Sequence, residues 1–573
     1  MISIEIDGRE VKAEPGETIL TALNREGVHV PTLCHMEGLL PSGACRICSV
    51  EVEGQDSLTP SCSYPVQDGM KIQTNSPKAV KARKTIIELL LANHPNDCLY
   101  CVRNGNCQLQ DLAELYGIRE RRYLAEPCKH KMDVSSPSII RDQDKCILCG
   151  KCVRICEEIM GVSAIDFVKR GSQSVIAPAF EEGMNVSGCI NCGQCVLACP
   201  TGALREKSHL KEVMDALQDP QRFVVVQHAP AISVTLAEEF GVKPGKDVEG
   251  AMISALRRLG FDRVFDTAFS ADLTIIEEAT ELVQRIKQNE RLPLLTSCSP
   301  GWIKFVEQTY PDFTQNLSTC KSPQQMLGAV LKHYYTQKED IDINNVYSVA
   351  IMPCTAKKYE AQRPELSSHG IADVDAVLTT RELARLIRMY GIQFEGLPAG
   401  QPNIPFGRRS SAGKMFAVTG GVMEAALRTA HQMITGENSP EPEFKQVRGL
   451  KGIREAHIEI DGMTLGIAVA NGIQNAQILL DQIRKGRDDL HFIEVMTCPG
   501  GCIAGGGQPF DTQPQNIHAR LQALYDIDRR ETVRTSHENK AVQQLYDEFL
   551  QQPLSKKSHE LLHTTYSKRN VLL

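Results

Sequence analysis

Apolar residues in the second half of the chain recur in two alternating rhythms. "RFVVVQHAPAISVTLAEEFG", "FDRVFDTAFSADLTIIEEATELVQRI" and "VDAVLTTRELARLIRMYG" each run as a short apolar block, a turn, and a stretch with apolar positions three or four apart. An unbroken apolar block suits a strand covered on both faces, and the longer spacing suits an amphipathic helix. The pattern therefore predicts βα units of an α/β fold after residue 220. The N-terminal stretch "ISIEIDGREVKAEPGETILTALNREG" reads instead as strand, turn, strand, and then a helix opening near Thr18. No apolar run reaches the ~18 residues of a membrane span. Glu5, Asp7, Arg9 and Glu10 interrupt the N-terminus where a secretion signal needs an apolar core, so the chain is expected to stay in the cytoplasm.

Length and charge add little to this. The 573 residues predict several domains, and a net charge of −7 argues against a nucleic-acid surface. Cysteine changes the picture. Sixteen of the 21 cysteines lie before residue 200, in tight groups; Cys298, Cys320, Cys354, Cys498 and Cys502 are scattered through the remainder. In a reducing compartment such groups read as metal ligands rather than disulfides.

Two of the groups repeat one pattern. "CILCGKCVRIC" carries Cys146, Cys149, Cys152 and Cys156, and "CINCGQCVLACP" carries Cys189, Cys192, Cys195 and Cys199. This C-x2-C-x2-C-x3-C run is that of two-cluster ferredoxins, in which the fourth cysteine of each run serves the other cluster. One 4Fe–4S cluster is therefore expected on Cys146, Cys149, Cys152 and Cys199, and a second on Cys189, Cys192, Cys195 and Cys156; a zinc pair is the alternative. Cys34, Cys45, Cys48 and Cys62, following the strand–strand–helix segment, resemble the 2Fe–2S loop of a β-grasp ferredoxin, with structural zinc as the alternative. "HPNDCLYCVRNGNC" offers His94, Cys98, Cys101 and Cys107, a set that suits zinc or a cluster. Its place among cluster domains favours a 4Fe–4S cluster, whose potential a histidine ligand raises. Cys128 has no partner at ligand spacing and reads as a buried thiol.

In the second half, "PLLTSC", "YSVAIMPC" and "HFIEVMTC" each end an apolar block on a cysteine: Cys298, Cys354 and Cys498. Ligands of α/β folds gather at the carboxyl ends of strands, so three segments converge on one site. "TCPGGCIAGGGQP" adds Cys502 one helical turn from Cys498, with glycines expected to admit a bulky inorganic group, and Lys357 supplies a positive charge beside Cys354.

With these motifs together, the whole chain resembles an FeFe-hydrogenase (iron-only hydrogenase) of the long form with four accessory clusters. "TSCSPGW", "PCTAKKYE" and "CPGGCIAGGGQP" are similar to that family's TSCCPxW, PCxxKxxE and CPGGCxxGGGQP-like signatures. The resemblance implies an H-cluster: a 4Fe–4S cubane joined through one cysteine sulfur to a diiron unit bearing CO, cyanide and a dithiolate bridge. It places the cubane on Cys354, Cys498 and Cys502, with Cys502 as the bridge. Lys357 is implied beside a cyanide, and Met352 and Met496 against the diatomic ligands. A proton path is implied through Cys298, Glu278, Ser318 and Glu281. Glu278 and Glu281 are three apart on one helical face, a usable relay spacing.

The departure lies at Ser299, where the family's motif has the fourth cubane ligand. Either serine ligates through oxygen, or the loop shifts so that Cys298 ligates, or the cluster is altered. Cys320 is a rescue ligand or, on the simpler reading, a buried thiol, and His559 and His563 in the tail read as helix-surface histidines.

The expected organisation is multidomain α+β and α/β. It comprises a β-grasp 2Fe–2S domain (1–78), a His/Cys3 4Fe–4S domain (79–125) and a two-cluster ferredoxin-like domain (126–209). An α/β H-cluster domain (210–515) and a helical, small-subunit-like extension (516–573) complete it. The implied activity is reversible H2 formation fed by an iron–sulfur chain. The alternative is a hydrogenase-like sensor or electron-transfer subunit with low turnover. Expected partners are H2 and protons, ferredoxin or NAD(P)H-oxidising subunits, and maturation proteins for the diiron cofactor. No nucleic-acid binding or membrane insertion is expected. No Gly-rich dinucleotide motif follows a strand, so a pyridine nucleotide would react on a separate subunit of a hetero-oligomer.

Overall fold

The computed structural model describes residues 1–125, 129–440 and 442–571; Cys128 lies outside them. The chain forms two compact units. One comprises Met1–Ser187 with Cys195–Arg205, the other Gly188–Gln194 with the chain from Glu206 onward.

In the first unit, β1 (Ile2–Ile6) and β2 (Arg9–Ala13) form an antiparallel hairpin. Helix α1 (Ile19–Arg25) follows, and then β3 (Ser49–Val52), β4 (Thr59–Pro60) and β5 (Lys71–Gln73) complete a sheet of order β2-β1-β5-β3-β4. Alternation turns Ile4 and Ile6 inward onto Ile19, Leu20 and Leu23 of α1. The helix begins where Thr18 Oγ1 accepts the amide of Thr21, satisfying a donor that the first turn leaves orphaned. Beyond this sheet the cysteine runs dictate the backbone. Leu148 and Asn191, at equivalent places in the two runs, both adopt left-handed φ (54° and 60°), as do Gly150 and Gly193 (72° and 76°). A leucine held there costs about 1–2 kcal/mol. The duplication is thus visible in main-chain geometry as well as in spacing.

The second unit contains two four-stranded sheets. In the first, β6 (Phe223–His228), β7 (Arg263–Asp266), β9 (Val346–Met352) and β10 (Ala376–Thr379) run parallel in the order β7-β6-β9-β10. In the second, β8 (Leu294–Leu295), β13 (Phe492–Met496) and β12 (Met463–Asn471) are parallel, with β11 (Ile453–Ile460) antiparallel at the edge. Helix α2 (Thr267–Gln288) serves both sheets. Phe269, Leu273 and Ile276 pack with Val225 and Phe265 of the first; Ala271, Ile275 and Leu282 pack with Leu294, Ile467 and Phe492 of the second. A helix apolar around most of its circumference belongs in an interior, and the acidic residues it carries go in with it.

Helix α3 (Pro300–Thr309) follows β8 and is anchored by Trp302, which is fully buried and donates its indole N–H to the Thr296 carbonyl at 3.1 Å. The C-terminal segment pairs its backbone with the 319–321 loop: Thr564 N–H donates to Thr319 O (2.8 Å) and Lys321 N–H to Leu562 O (2.7 Å). No helix among the described residues is long and apolar enough to cross a membrane. Trp302→Ala should destabilise the second unit by about 3–5 kcal/mol, read from the shift of a denaturant transition followed by circular dichroism.

Candidate active site

In the first unit, Cys34, Cys45, Cys48 and Cys62 come together. Cys34 lies within hydrogen-bond reach of both Cys45 and Cys62, and Cys62 within reach of Cys48, whose thiol that contact draws down. His94 is buried; its Nδ1 lies 3.2 Å from the Pro95 carbonyl, while Nε2 has no hydrogen-bond partner among the described residues. Burial holds this imidazole below its ordinary pKa, so it is neutral with a free lone pair, as ligation requires. Cys101 and Cys107 are close enough to interact electrostatically, and Cys98 is exposed.

Cys146, Cys149 and Cys152 line a cavity of about 20 Å³ together with Cys199 of the other run. Burial pushes Cys146 up to about 12 and Cys149 to about 11. Cys156 accepts the amide of Ala164 and Cys189 that of Asn191, each at 3.4 Å; Cys195 is buried and Cys192 half-buried. No disulfide joins the described cysteines.

In the second unit, Cys354 follows β9, Cys498 follows β13, and Cys502 closes the next loop. Cys498 feels both Cys354 and Cys502, and Cys502 feels Cys354. Burial pushes Cys498 and Cys502 up to about 12. Three thiols this dry do not ionise beside one another without a cation, so the donor set fits a metal cluster. Cys498 and Cys502 do not share a helical turn, as their spacing predicts. Left-handed Gly500 (φ 94°) and Gly501 (φ 81°) separate them, and Cys502 opens a short 3₁₀ turn. The next glycines also serve another end than the one expected. A Cβ on Gly505 would lie 2.3 Å from Pro353 O and one on Gly506 2.1 Å from Cys192 O, so the run lets main chains pack together.

Beside these thiols is a mostly apolar cavity of about 90 Å³, lined by Cys298, Ser299, Met352, Lys357, Met496 and Cys502 among others. Lys357 Nζ donates to the Cys298 carbonyl (3.1 Å) and pairs with Glu360 (2.9 Å). From Cys298 a chain of buried groups leads away along α2. Ser318 bonds Glu278 and donates to Glu281 Oε2 at 3.0 Å; Glu281 in turn accepts from Thr319 N–H (3.1 Å) and Arg285 (2.6 Å). Burial and the neighbouring Glu281 charge raise Glu278 to about 8, and burial raises the Cys298 thiol well above its ordinary value.

Cys320 is fully buried near Glu277, Glu278 and Glu281, the carboxylates of α2. His559 is exposed, but His563 is not a surface residue. It is buried between Thr319 Oγ1 (2.8 Å) and Glu277 Oε2 (3.2 Å) because the tail folds against the relay loop. Arg285 was legible as the i+4 partner of Glu281. Thr497, whose Oγ1 lies 2.6 Å from Ser299 Oγ, had only its place beside Cys498 to mark it.

Convergent thiols at strand ends, a dry cavity, a buried acid relay and cysteine sets upstream define an iron–sulfur oxidoreductase. Residues 222–506 match the iron-only hydrogenase large subunit, C-terminal domain, and residues 514–569 the iron hydrogenase small subunit. Upstream, residues 1–77 match a 2Fe-2S iron-sulfur cluster binding domain. Residues 83–122 match the NADH-ubiquinone oxidoreductase-G iron-sulfur binding region, and 145–203 a 4Fe-4S dicluster domain. The chain is 47% identical to the NADP-reducing hydrogenase subunit HndD of Solidesulfovibrio fructosivorans, with both chains covered in full. It is 40% identical to iron hydrogenase 1 of Clostridium pasteurianum, over 99% of this chain and 100% of that one. Apo [FeFe]-hydrogenase HydA1 from Chlamydomonas reinhardtii superposes with a TM-score of 0.58 at 40% identity, covering 63% of this chain and 99% of that one. The chain belongs to the iron-only hydrogenase family. It is a hydrogenase of mixed α/β fold, with N-terminal iron–sulfur domains and an H-cluster domain fed by an iron–sulfur electron chain.

Glu278 titrates near 8 in the folded chain against an ordinary 4.5. Between those values the folded protein keeps a proton that the unfolded chain has lost, so this group's contribution to stability falls as pH rises across the window. Glu278→Gln should flatten that slope in a pH series of denaturant midpoints. It should also remove a protonated-carboxyl C=O stretch from the infrared spectrum at pH 7.

Proposed function

We propose that four accessory clusters feed the hydrogenase site. A 2Fe–2S cluster sits on Cys34, Cys45, Cys48 and Cys62, and a 4Fe–4S cluster on His94, Cys98, Cys101 and Cys107. Two more occupy Cys146, Cys149, Cys152 and Cys199, and Cys156, Cys189, Cys192 and Cys195. They belong to β-grasp (1–78), His/Cys3 (79–125) and ferredoxin-like (126–209) domains, ahead of the catalytic domain (210–515) and the helical extension (516–573). Cys354, Cys498 and Cys502 would hold the H-cluster, Cys502 serving its cubane and its diiron unit, with Ser299 at the remaining ligand position.

When bound, the H-cluster supplies the joining of two electrons and two protons as H2. The chain's own residues do the rest. Cys298 exchanges protons with the site, and Glu278, Ser318 and Glu281 carry them outward in steps within hydrogen-bond reach. Glu278, half protonated near pH 8, is poised to both accept and release. Lys357, fixed by Glu360 and the Cys298 carbonyl, directs a positive charge at the cavity, where Met352 and Met496 exclude water. A dry site makes that charge count for more than it would in solvent.

The observation that carries this reading is the meeting of Cys354 with Cys498 and Cys502, three thiols from two strand ends, beside a cavity that Cys298 also lines. Ser299 alone favours a slow sensor; the complete relay favours the enzyme. Hydrogen evolution with a reduced dye, after maturation with the diiron cofactor, decides between them. Turnover at background that Ser299→Cys restores would defeat the enzyme reading. The name of the HndD relative supports a hetero-oligomer in which NADP reacts on another subunit; the electron partner is that subunit or ferredoxin, and maturation proteins supply the diiron unit.

Cys298→Ala should lower hydrogen evolution by about 10²–10⁴-fold while the infrared bands of metal-bound CO and cyanide persist. His94→Cys should lower the potential of its cluster, since a thiolate adds negative charge that imidazole lacks; an EPR-monitored redox titration reads the shift.

A further inference from the structure

Ser299 occupies the N-cap position of α3, where a serine ordinarily accepts an amide of the first turn, yet its side chain makes no capping bond. Its hydroxyl points instead to Thr497, Oγ to Oγ1 at 2.6 Å, one residue before the cluster cysteine Cys498. The close approach is built in. A Cβ on Gly301 would come within 2.9 Å of Thr497 Cγ2 and 3.3 Å of Ile190 O, so only glycine lets the start of α3 press against this threonine. At 2.6 Å the two hydroxyls are hydrogen-bonded, and either oxygen is able to donate, so Thr497 can serve as donor to Ser299 Oγ. The open amides of α3's first turn favour negative charge at the same place. Ser299 lines the same cavity as Cys354 and Cys502.

We infer that Ser299 is the fourth cubane ligand through Oγ and that Thr497 is its built-in hydrogen-bond donor, the pair together setting the cubane's potential. The inference rests on the reading that the three cysteines hold a cubane. On assembly an iron–oxygen bond forms, the Ser299 proton leaves to solvent, and the Thr497 hydroxyl donates to the resulting alkoxide; no electron moves. Alkoxide is a harder donor than thiolate and stabilises the oxidised cube. The Thr497 hydrogen bond withdraws part of that charge and raises the potential again.

The test is an infrared-monitored redox titration of the full, matured chain. The CO and cyanide stretches report the cubane's electron through the shared sulfur and are separate from the accessory clusters. Ser299→Cys should increase the cubane's reduction equilibrium constant at least tenfold, a rise of 59 mV for one electron. Thr497→Val should shift it in the opposite direction. A midpoint unmoved in Ser299→Cys overturns oxygen ligation, and one unmoved in Thr497→Val overturns the donor role. Absence of CO and cyanide bands in every form would instead remove the hydrogenase site itself, a distinct failure.

Discussion

Negative charge in a dry interior is the constraint on which this structure depends. Cys354, Cys498 and Cys502 meet where burial drives their thiols toward the protonated form. Only a cation shared among them makes thiolates affordable there, so the fold is a receptacle whose electrostatics are completed by its cargo. The two sheets deliver the sulfurs because parallel strands end at one edge, where no side-by-side pairing competes for the loops that follow.

The same dryness governs the proposed proton route. Helix α2 is apolar enough to lie between two sheets, and it brings Glu277, Glu278 and Glu281 into the interior with it. Their environments then diverge. Glu281 has Arg285 and Ser318 to hold its charge; Glu278 has few donors and a like-charged neighbour, and is raised to about 8. Two carboxylates one turn apart thus sit in different surroundings because their donors differ, and Glu278 is the one that burial raises.

Much of this was legible in the sequence. The apolar blocks at 223–228, 346–352 and 492–496 are strands, and the helix near Thr18 opens at Thr18. Cysteine spacing carried the metal chemistry because ligand geometry is short-range and leaves a local signature. What it did not carry was long-range or conformational. The glycines of "CPGGCIAGGGQP" read as room for an inorganic group, yet they fit against Pro353 and Cys192, which no local pattern could indicate. His563 looked like a helix-surface residue because its neighbours Thr319 and Glu277 lie more than two hundred residues earlier. Thr497 escaped notice for the same reason: a hydroxyl beside a ligand acquires meaning only when Ser299 arrives from another strand.

The backbone pairing of Leu562 and Thr564 with the loop at Thr319–Lys321 bears on the order of synthesis. A ribosome releases those partners after all the thiols of the site, so a nascent chain already holding every one of them still lacks the segment that braces Glu281's loop. The parts proposed to coordinate sulfur and to conduct protons are therefore finished at different moments in the birth of the molecule. A chain interrupted before Leu562 would have those thiols framed and the loop beside Glu281 unbraced.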